Sequence, residues 1–465
     1  MTTEPQNNCQ EISAGDAAKR DSTQFHRSAS GAFRFILLTA AVAAVILAFA
    51  ADIDGIVKGL ISFSYPLGCS LVNYSAGFVR RGLFGEIIEL MNGLLQPVLS
   101  IMLISVSSLT FILYLFLSRM SGLKMKLPYI LAIVLSPSLV LMQRGSNFIH
   151  NDALLIALNL AVSCFLLRLI FHAKQGASDR PSFARMILTD SSVFSVLAVS
   201  ALIHELSASL LPPVMLLFFI YSRRVHRMMH SVSVLILLIL VYAVMMAFFK
   251  YADPDTIAKS WSGIYGDPEA YRKNTALLSV ADSWYASYFL SAAGTLLKEN
   301  AIAFIPHLFT AVAVPFIVLM LSGITVFHSA STRAGIIRGL LIISSLSPLG
   351  LCITGIDYGR WFSISAINLT SYILLTAHPA GRIRNDESQP EHERRIKDVL
   401  KQCAAAAIAV ILLNFRLEVD GYFLEAEQPI AEEVREAAVR ISDLPHDLMP
   451  VLVRDRIIRP RNGAR

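Results

Sequence analysis

The chain of 465 residues is 55% hydrophobic and only 16% charged, where an average soluble domain carries about 25% charged residues; its mean hydropathy is +0.58. An ordinary cytosolic enzyme is excluded. The net charge of +6 does not imply nucleic acid either, because no basic face alternates with aromatics and the Lys and Arg residues sit in short tracts between apolar blocks. The expected class is all-α, a polytopic transmembrane helical bundle.

In chain order, a polar tail over residues 1–34 precedes the first apolar block, Phe35 to Ala51. No A-x-A cleavage site follows it, so it is predicted to stay as the first span. Further spans are expected roughly at 97–118, 128–142, 153–170, 191–203, 209–221, 231–249, 301–321, 336–354, 362–377 and 402–415, eleven in all, set against the ~20 residues that cross a bilayer core. Those at 128, 191, 209 and 402 are short, which predicts half-length or broken helices around a cavity. The bundle then covers residues 35–415, with outer loops at 52–96 and 250–300 and a C-terminal segment, 416–465, on the extracytoplasmic side.

Basic residues set the orientation, since cytoplasmic loops are enriched in them. With the N-terminus inside, the tail and the inner loops hold 22 of the 40 Lys and Arg residues, and the outer loops hold ten. Almost every other polar cluster then falls outside: Asp52/Asp54, Arg80/Arg81/Glu86, Arg144/His150/Asp152, His204/Glu205 and Asp357/Arg360. Ionisable groups at a membrane boundary are expensive and usually functional, so the working face is expected to be extracytoplasmic.

Within the first outer loop, Ile56 to Tyr65 and Phe78 to Leu94 read as amphipathic interfacial helices. Arg80 and Arg81, beside Gly77 and Gly82, either snorkel as anchors or bind a lipid phosphate through charge-assisted contacts. Asp52 and Asp54 follow the first span, where a carboxylate either acts as a general base or caps the helix that begins after Gly55. Arg144, Asn147, His150, Asn151 and Asp152 share one turn; either Asn151 or Asp152 caps the fourth span and the others are solvated, or Arg144 and Asp152 line a substrate cavity.

His204 and Glu205 interrupt two apolar segments ahead of Pro212 and Pro213. A zincin reading fails because Ala208 stands where the second histidine of H-E-x-x-H belongs; the pair either satisfies a tight bend or faces a cavity. Asp357, Tyr358, Gly359, Arg360 and Trp361 form the densest constellation. Arg360 suits bidentate anion binding and Trp361 suits sugar stacking, the alternative being a structural Asp357–Arg360 pair with an interfacial tryptophan. The aromatics of the 250–300 loop, Trp261 and Trp284 among them, suit sugars or a membrane belt equally. Asn73-Tyr74-Ser75 matches the glycosylation sequon, a frequent chance pattern. The five cysteines are scattered without metal-ligand spacing, so neither a disulfide framework nor a zinc site is expected. Walker A, G-x-G-x-x-G, G-x-S-x-G and EF-hand patterns are absent; no organic cofactor is expected, and a divalent metal is left open.

This layout resembles the GT-C superfamily of polytopic glycosyltransferases: a first span, acidic residues directly after it, a long first outer loop with two surface helices, and a later large outer loop. The stretches Phe78-Val79-Arg80-Arg81-Gly82, His204-Glu205 and Asp357-Tyr358-Gly359-Arg360-Trp361 are also similar to segments of bacterial members. An acidic pair after the later spans is missing. The resemblance implies transfer of a sugar from a polyprenyl-phosphate donor to a glycan or lipid acceptor, on the outer face of the bacterial inner membrane. It casts Asp54 or Asp52 as base, Arg80, Arg81 and Arg360 as ligands of the lipid phosphate, and Arg144, Asp152, His204, Glu205, Asp357 and Trp361 as cavity residues. A non-enzymatic glycan or lipid flippase and a polysaccharide polymerase or ligase are the alternatives. The partners in every case are membrane lipids and lipid-linked glycans.

Overall fold

The structure is a computed structural model that describes residues 33–47, 65–76, 81–136, 151–172, 183–224, 228–248, 253–261, 312–324, 332–353, 358–377 and 391–427, apart from Gly93, Glu205, Phe415, Gly421 and Tyr422. Its helices are α1 (Phe33–Leu47), α2 (Tyr65–Leu71), α3 (Gly82–Met91), α4 (Pro97–Gly122), α5 (Leu127–Val134), α6 (Asp152–His172), α7 (Phe183–Ile203) and α8 (Ser207–Arg224). They are followed by α9 (Met228–Phe248), α10 (Pro254–Ser260), α11 (Val314–Leu321), α12 (Thr332–Ser344), α13 (Tyr358–Thr376) and α14 (Glu391–Asn414). Two 3-10 segments, Tyr74–Ala76 and Ser347–Ile353, and an antiparallel hairpin of Arg416–Asp420 with Phe423–Glu427 complete the described elements.

Three stretches are long and apolar enough to cross a membrane, Pro97–Gly122, Asp152–Phe171 and Met186–Ile203, and shorter apolar helices accompany them. Leu235, Ile236, Ile239 and Leu240 of α9 and Ile343 of α12 stand exposed. In water such a surface would be an aggregation patch; against lipid tails it has nothing to hide from. The chain has the character of a membrane protein.

The half-length helix expected at 191 is a whole one, α7, which starts eight residues earlier than the apolar run, at Phe183. The one expected at 209, α8, is among the shorter apolar helices and carries two prolines in its interior. Thr189, Asp190, Ser191 and Ser192 dilute the hydropathy of α7 without breaking it. The expected span at 402 is the distal half of the 24-residue α14, whose first half carries the charged run from Glu391 to Lys401.

Helix α13 lies at the centre, with every residue from Phe362 to Leu375 buried, and it packs against α4, α6, α11, α12 and the 347–353 segment. Its many Ser, Thr and Asn residues return their polar groups to backbone carbonyls: Ser365 donates to Trp361 O, Ser371 to Ile367 O, and Asn368 to Ser345 O. Small residues satisfied in this way let helices approach closely in an apolar medium.

Helix α8 carries Pro212 and Pro213 in its interior. Pro213 has no N–H to offer Ser209 O, so that carbonyl would be orphaned in an apolar bundle. The Ser347 hydroxyl donates to it at 2.5 Å, which replaces the lost bond and ties α8 to the 347–353 segment.

Candidate functional site

Helices α6 and α13 run side by side in the same direction, joined at two levels. At their first turns Arg360 grips Asp152, Nε donating to Oδ2 at 2.5 Å and Nη2 to Oδ1 at 2.8 Å. Deeper in, the hydroxyls of Ser163 and Tyr372 meet at 2.6 Å. The two links lie 11 and 12 residues apart along their helices, about 17 Å at 1.5 Å per residue, so the helices stay in register.

The ion pair is nearly dry, with side-chain exposures of 9% for Arg360 and 4% for Asp152. Each residue opens a helix. A carboxylate there complements the macrodipole and a guanidinium opposes it, so Asp152 suits its own helix and also neutralises a cation that α13 alone would disfavour. Asp152 is a partner that the sequence did not offer Arg360; the alternative it did offer, a structural Asp357–Arg360 pair, falls on Asp357, which lies outside the described residues. The Arg360 guanidinium also sits over the Trp361 ring, 4.8 Å from its centroid, and the Trp361 Nε1–H is buried without a hydrogen-bond partner.

From the pair, contacts lead to the first loop. Asn151 precedes Asp152 and accepts a hydrogen bond from the buried Ser70 hydroxyl at 3.4 Å. Next to Ser70 on α2, Cys69 Sγ accepts from Arg81 Nη1 at 3.2 Å. Arg81 is buried and left-handed, with φ of 65°, at the N-cap of α3. A non-glycine residue persists in that region only where its surroundings over-determine it, and such residues gather at functional sites. Arg81, Asp152 and the Arg360–Trp361 pair, which the sequence singled out in three separate clusters, therefore belong to one chain of contacts. Sequence reasoning missed Cys69, Ser70 and Asn151 as the links: α2 contains Pro66 and Gly68 and gives no periodic signal.

A second network holds this loop down. Asn73 is buried, donates to Glu89 Oε2 at 2.5 Å and to Ser260 Oγ at 2.9 Å, and accepts from the Ser75 hydroxyl at 2.7 Å. Its amide is thus committed, which removes the sequon as a modification site. Glu86 accepts from the Tyr74 backbone N–H. Burial, with the Glu86 carboxylate beside it, pushes the Tyr74 phenol up to about 12, so it stays protonated at physiological pH. Helix α10 is capped by Asp253, whose carboxylate accepts from the Thr256 hydroxyl and the Asp255 N–H and is held below its usual range by those bonds. The helix delivers Trp261, 1% exposed, whose Nε1 donates to Leu71 O at 2.7 Å. At this residue neither sugar stacking nor a membrane belt applies: Trp261 is a core residue.

His204 serves the bend between α7 and α8. Its Nδ1 accepts from the Leu206 N–H at 3.0 Å and its carbonyl from the Ser207 N–H at 3.0 Å, which closes the gap between Ile203 and Ser207; the Ser207 hydroxyl bonds the Tyr242 hydroxyl of α9. Asp52, Asp54, Arg80, Arg144, Glu205 and Asp357 lie outside the described residues. Among the described residues no group of three or more His, Cys, Asp or Glu side chains could hold a metal. Cys69, Cys164 and Cys403 are free thiols.

No protein-family model matches the chain, and neither the curated proteins nor the solved structures yield a match.

Proposed function

We propose that the chain is an integral membrane glycosyltransferase of about eleven spans, moving a sugar from a polyprenyl-phosphate donor to a glycan or lipid acceptor on the extracytoplasmic face. The observation that carries the reading is the dry Asp152–Arg360 pair under Trp361. Replacing a buried pair by packed apolar side chains is often neutral or stabilising, so burial of charge at a membrane boundary points to use rather than to stability. The described charges of the cluster, Arg81 and Arg360 against Asp152, leave a positive balance. To this the N-termini of α6 and α13 add their partial charges, which suits a phosphate.

In the proposed reaction the acceptor hydroxyl attacks the anomeric carbon, its proton passes to Asp54 (or Asp52), and the bond from that carbon to the phosphate oxygen breaks. The leaving polyprenyl phosphate gains charge as that bond stretches. Arginines fixed beforehand then stabilise the transition state more than the bound donor. Asp152 supplies that fixation for Arg360. The unbonded Trp361 Nε1–H offers a donor to a sugar hydroxyl beside the ring face.

Asp54→Asn keeps size and hydrogen bonding while removing the proton acceptor, so transfer in proteoliposomes supplied with a polyprenyl-phosphate sugar should fall by about 100-fold or more. Full turnover in both Asp54→Asn and Asp52→Asn, at normal membrane levels, rejects the base assignment. Reporter fusions after residues 225 and 390 should read cytoplasmic and fusions near 270 external; an external reading at 225 reverses the sidedness and removes the site from the proposed face.

A lipid or glycan flippase is the second reading. It is favoured by the polar stripe of Asp152, Asn159 and Ser163, which share one face of α6 as it descends between helices. A flippase needs the charges but no base at a fixed position, so the two Asp→Asn variants separate the readings.

A further inference from the structure

Arg338 stands apart from this site. It lies midway along α12, and its Nε and Nη2 atoms are buried with no hydrogen-bond partner. Helix α12 packs on α8 and α13, and none of the three contains an aspartate or glutamate. The guanidinium cannot lose its proton at any physiological pH. An unpaired cation in an apolar bundle is among the costliest groups a membrane protein can hold.

Its level in the bundle follows from neighbouring bonds. Ser347 meets Ser209 near the start of α8, and Arg338 lies nine residues earlier, about 13 Å further along. That places it toward the end where α8 finishes with Arg223 and Arg224 and α12 begins with Arg333 beside Thr332. Simple snorkelling would carry the guanidinium head into water, whereas two of its three nitrogens are enclosed.

We infer that Arg338 forms the inner wall of a phosphate site between α8 and α12, filled by the headgroup of an anionic membrane phospholipid that enters from the basic end. A phosphodiester accepts from Nε and Nη2 together, the same edge-on geometry Asp152 offers Arg360. The site is independent of the proposed transfer reaction.

The test uses the full-length protein in nanodiscs of phosphatidylcholine alone, of phosphatidylcholine with phosphatidylglycerol, and of phosphatidylcholine with inorganic phosphate in the buffer. Phosphatidylglycerol is expected to raise the Tm of the wild type. Arg338→Leu is expected to lose that rise and to melt no lower than the wild type in phosphatidylcholine alone, because the ammonium of that headgroup already offsets its phosphate and leaves the wild-type charge uncompensated. Native mass spectrometry should show phosphatidylglycerol retained about tenfold more weakly by Arg338→Gln, the loss of one charge-assisted contact. Should Arg338→Leu not fold, Arg338→Gln gives the same reading in both measurements. An equal rise with inorganic phosphate supports the anion site and assigns it to the free ion. A phosphatidylglycerol rise that survives in the variants, or no rise with either anion, overturns the inference.

Discussion

Truncating either partner of the Asp152–Arg360 pair is expected to cost about 3–5 kcal/mol of stability, because the charge left behind is buried and has lost its bidentate counter-ion. Asp152→Ala and Arg360→Ala should therefore both melt early in detergent. The double replacement Asp152→Leu with Arg360→Met removes both charges at similar volume, and it should recover most of that loss, since the two residues are in direct contact and their effects do not add. Activity is expected to behave differently. If Arg360 holds the donor phosphate, transfer falls by about 100-fold or more in Arg360→Ala and stays lost in the stable double variant. Arg360→Lys keeps the charge but loses the fork, so it should be intermediate, with kcat depressed and not only KM raised. Activity that returns together with stability in the double variant would reduce the pair to a structural clamp.

Both residues of this pair were legible in the sequence, but not as partners. Arg360 stands out among Gly359 and Trp361, and its nearest acid in the chain is Asp357; the bond to Asp152 spans 208 residues and is fixed only by the parallel packing of α6 on α13. A trace of it does lie in the sequence. Asp152, Asn159 and Ser163 recur at helical spacing on the mostly apolar α6, the mark of a face turned inward. Helix positions were recovered wherever hydropathy was continuous, as in α4, α6 and α9. They failed at α7, where a turn of polar residues, Thr189 to Ser192, mimics a helix end, and at α14, where a charged first half continues the same helix. The His204 alternatives narrow for a local reason. Its ring accepts the Leu206 N–H, so the bend reading holds whatever else the ring meets. For Trp261 the sequence offered two exposed roles, and neither survives, because the Leu71 carbonyl that takes its N–H lies 190 residues away.

Gly85→Ala should be among the most damaging single-methyl changes in the protein. A Cβ built there falls 2.0 Å from Val72 O, 2.5 Å from Val72 C and 3.0 Å from Asn73 N. All three are backbone atoms, so no side chain can swing aside and the overlap is relieved only by moving α3 off the 72–73 segment. That motion strains Asn73–Glu89 and Tyr74–Glu86 together and shifts Arg81, which caps α3. Overpacking of this kind costs about 3 kcal/mol or more when the surroundings are rigid. Gly339→Ala is the matched control. It also sits inside a helix, an added Cβ meets nothing within 4 Å, and the exchange should stabilise by up to about 1 kcal/mol through helix propensity. Paired melts of the two variants in detergent, with donor-dependent transfer measured alongside, decide the point. If Gly85→Ala melts with the wild type, the close approach of α3 to the 72–73 segment is wrong, and with it the placement of Arg81 beside Cys69 and the Asp152–Arg360 pair.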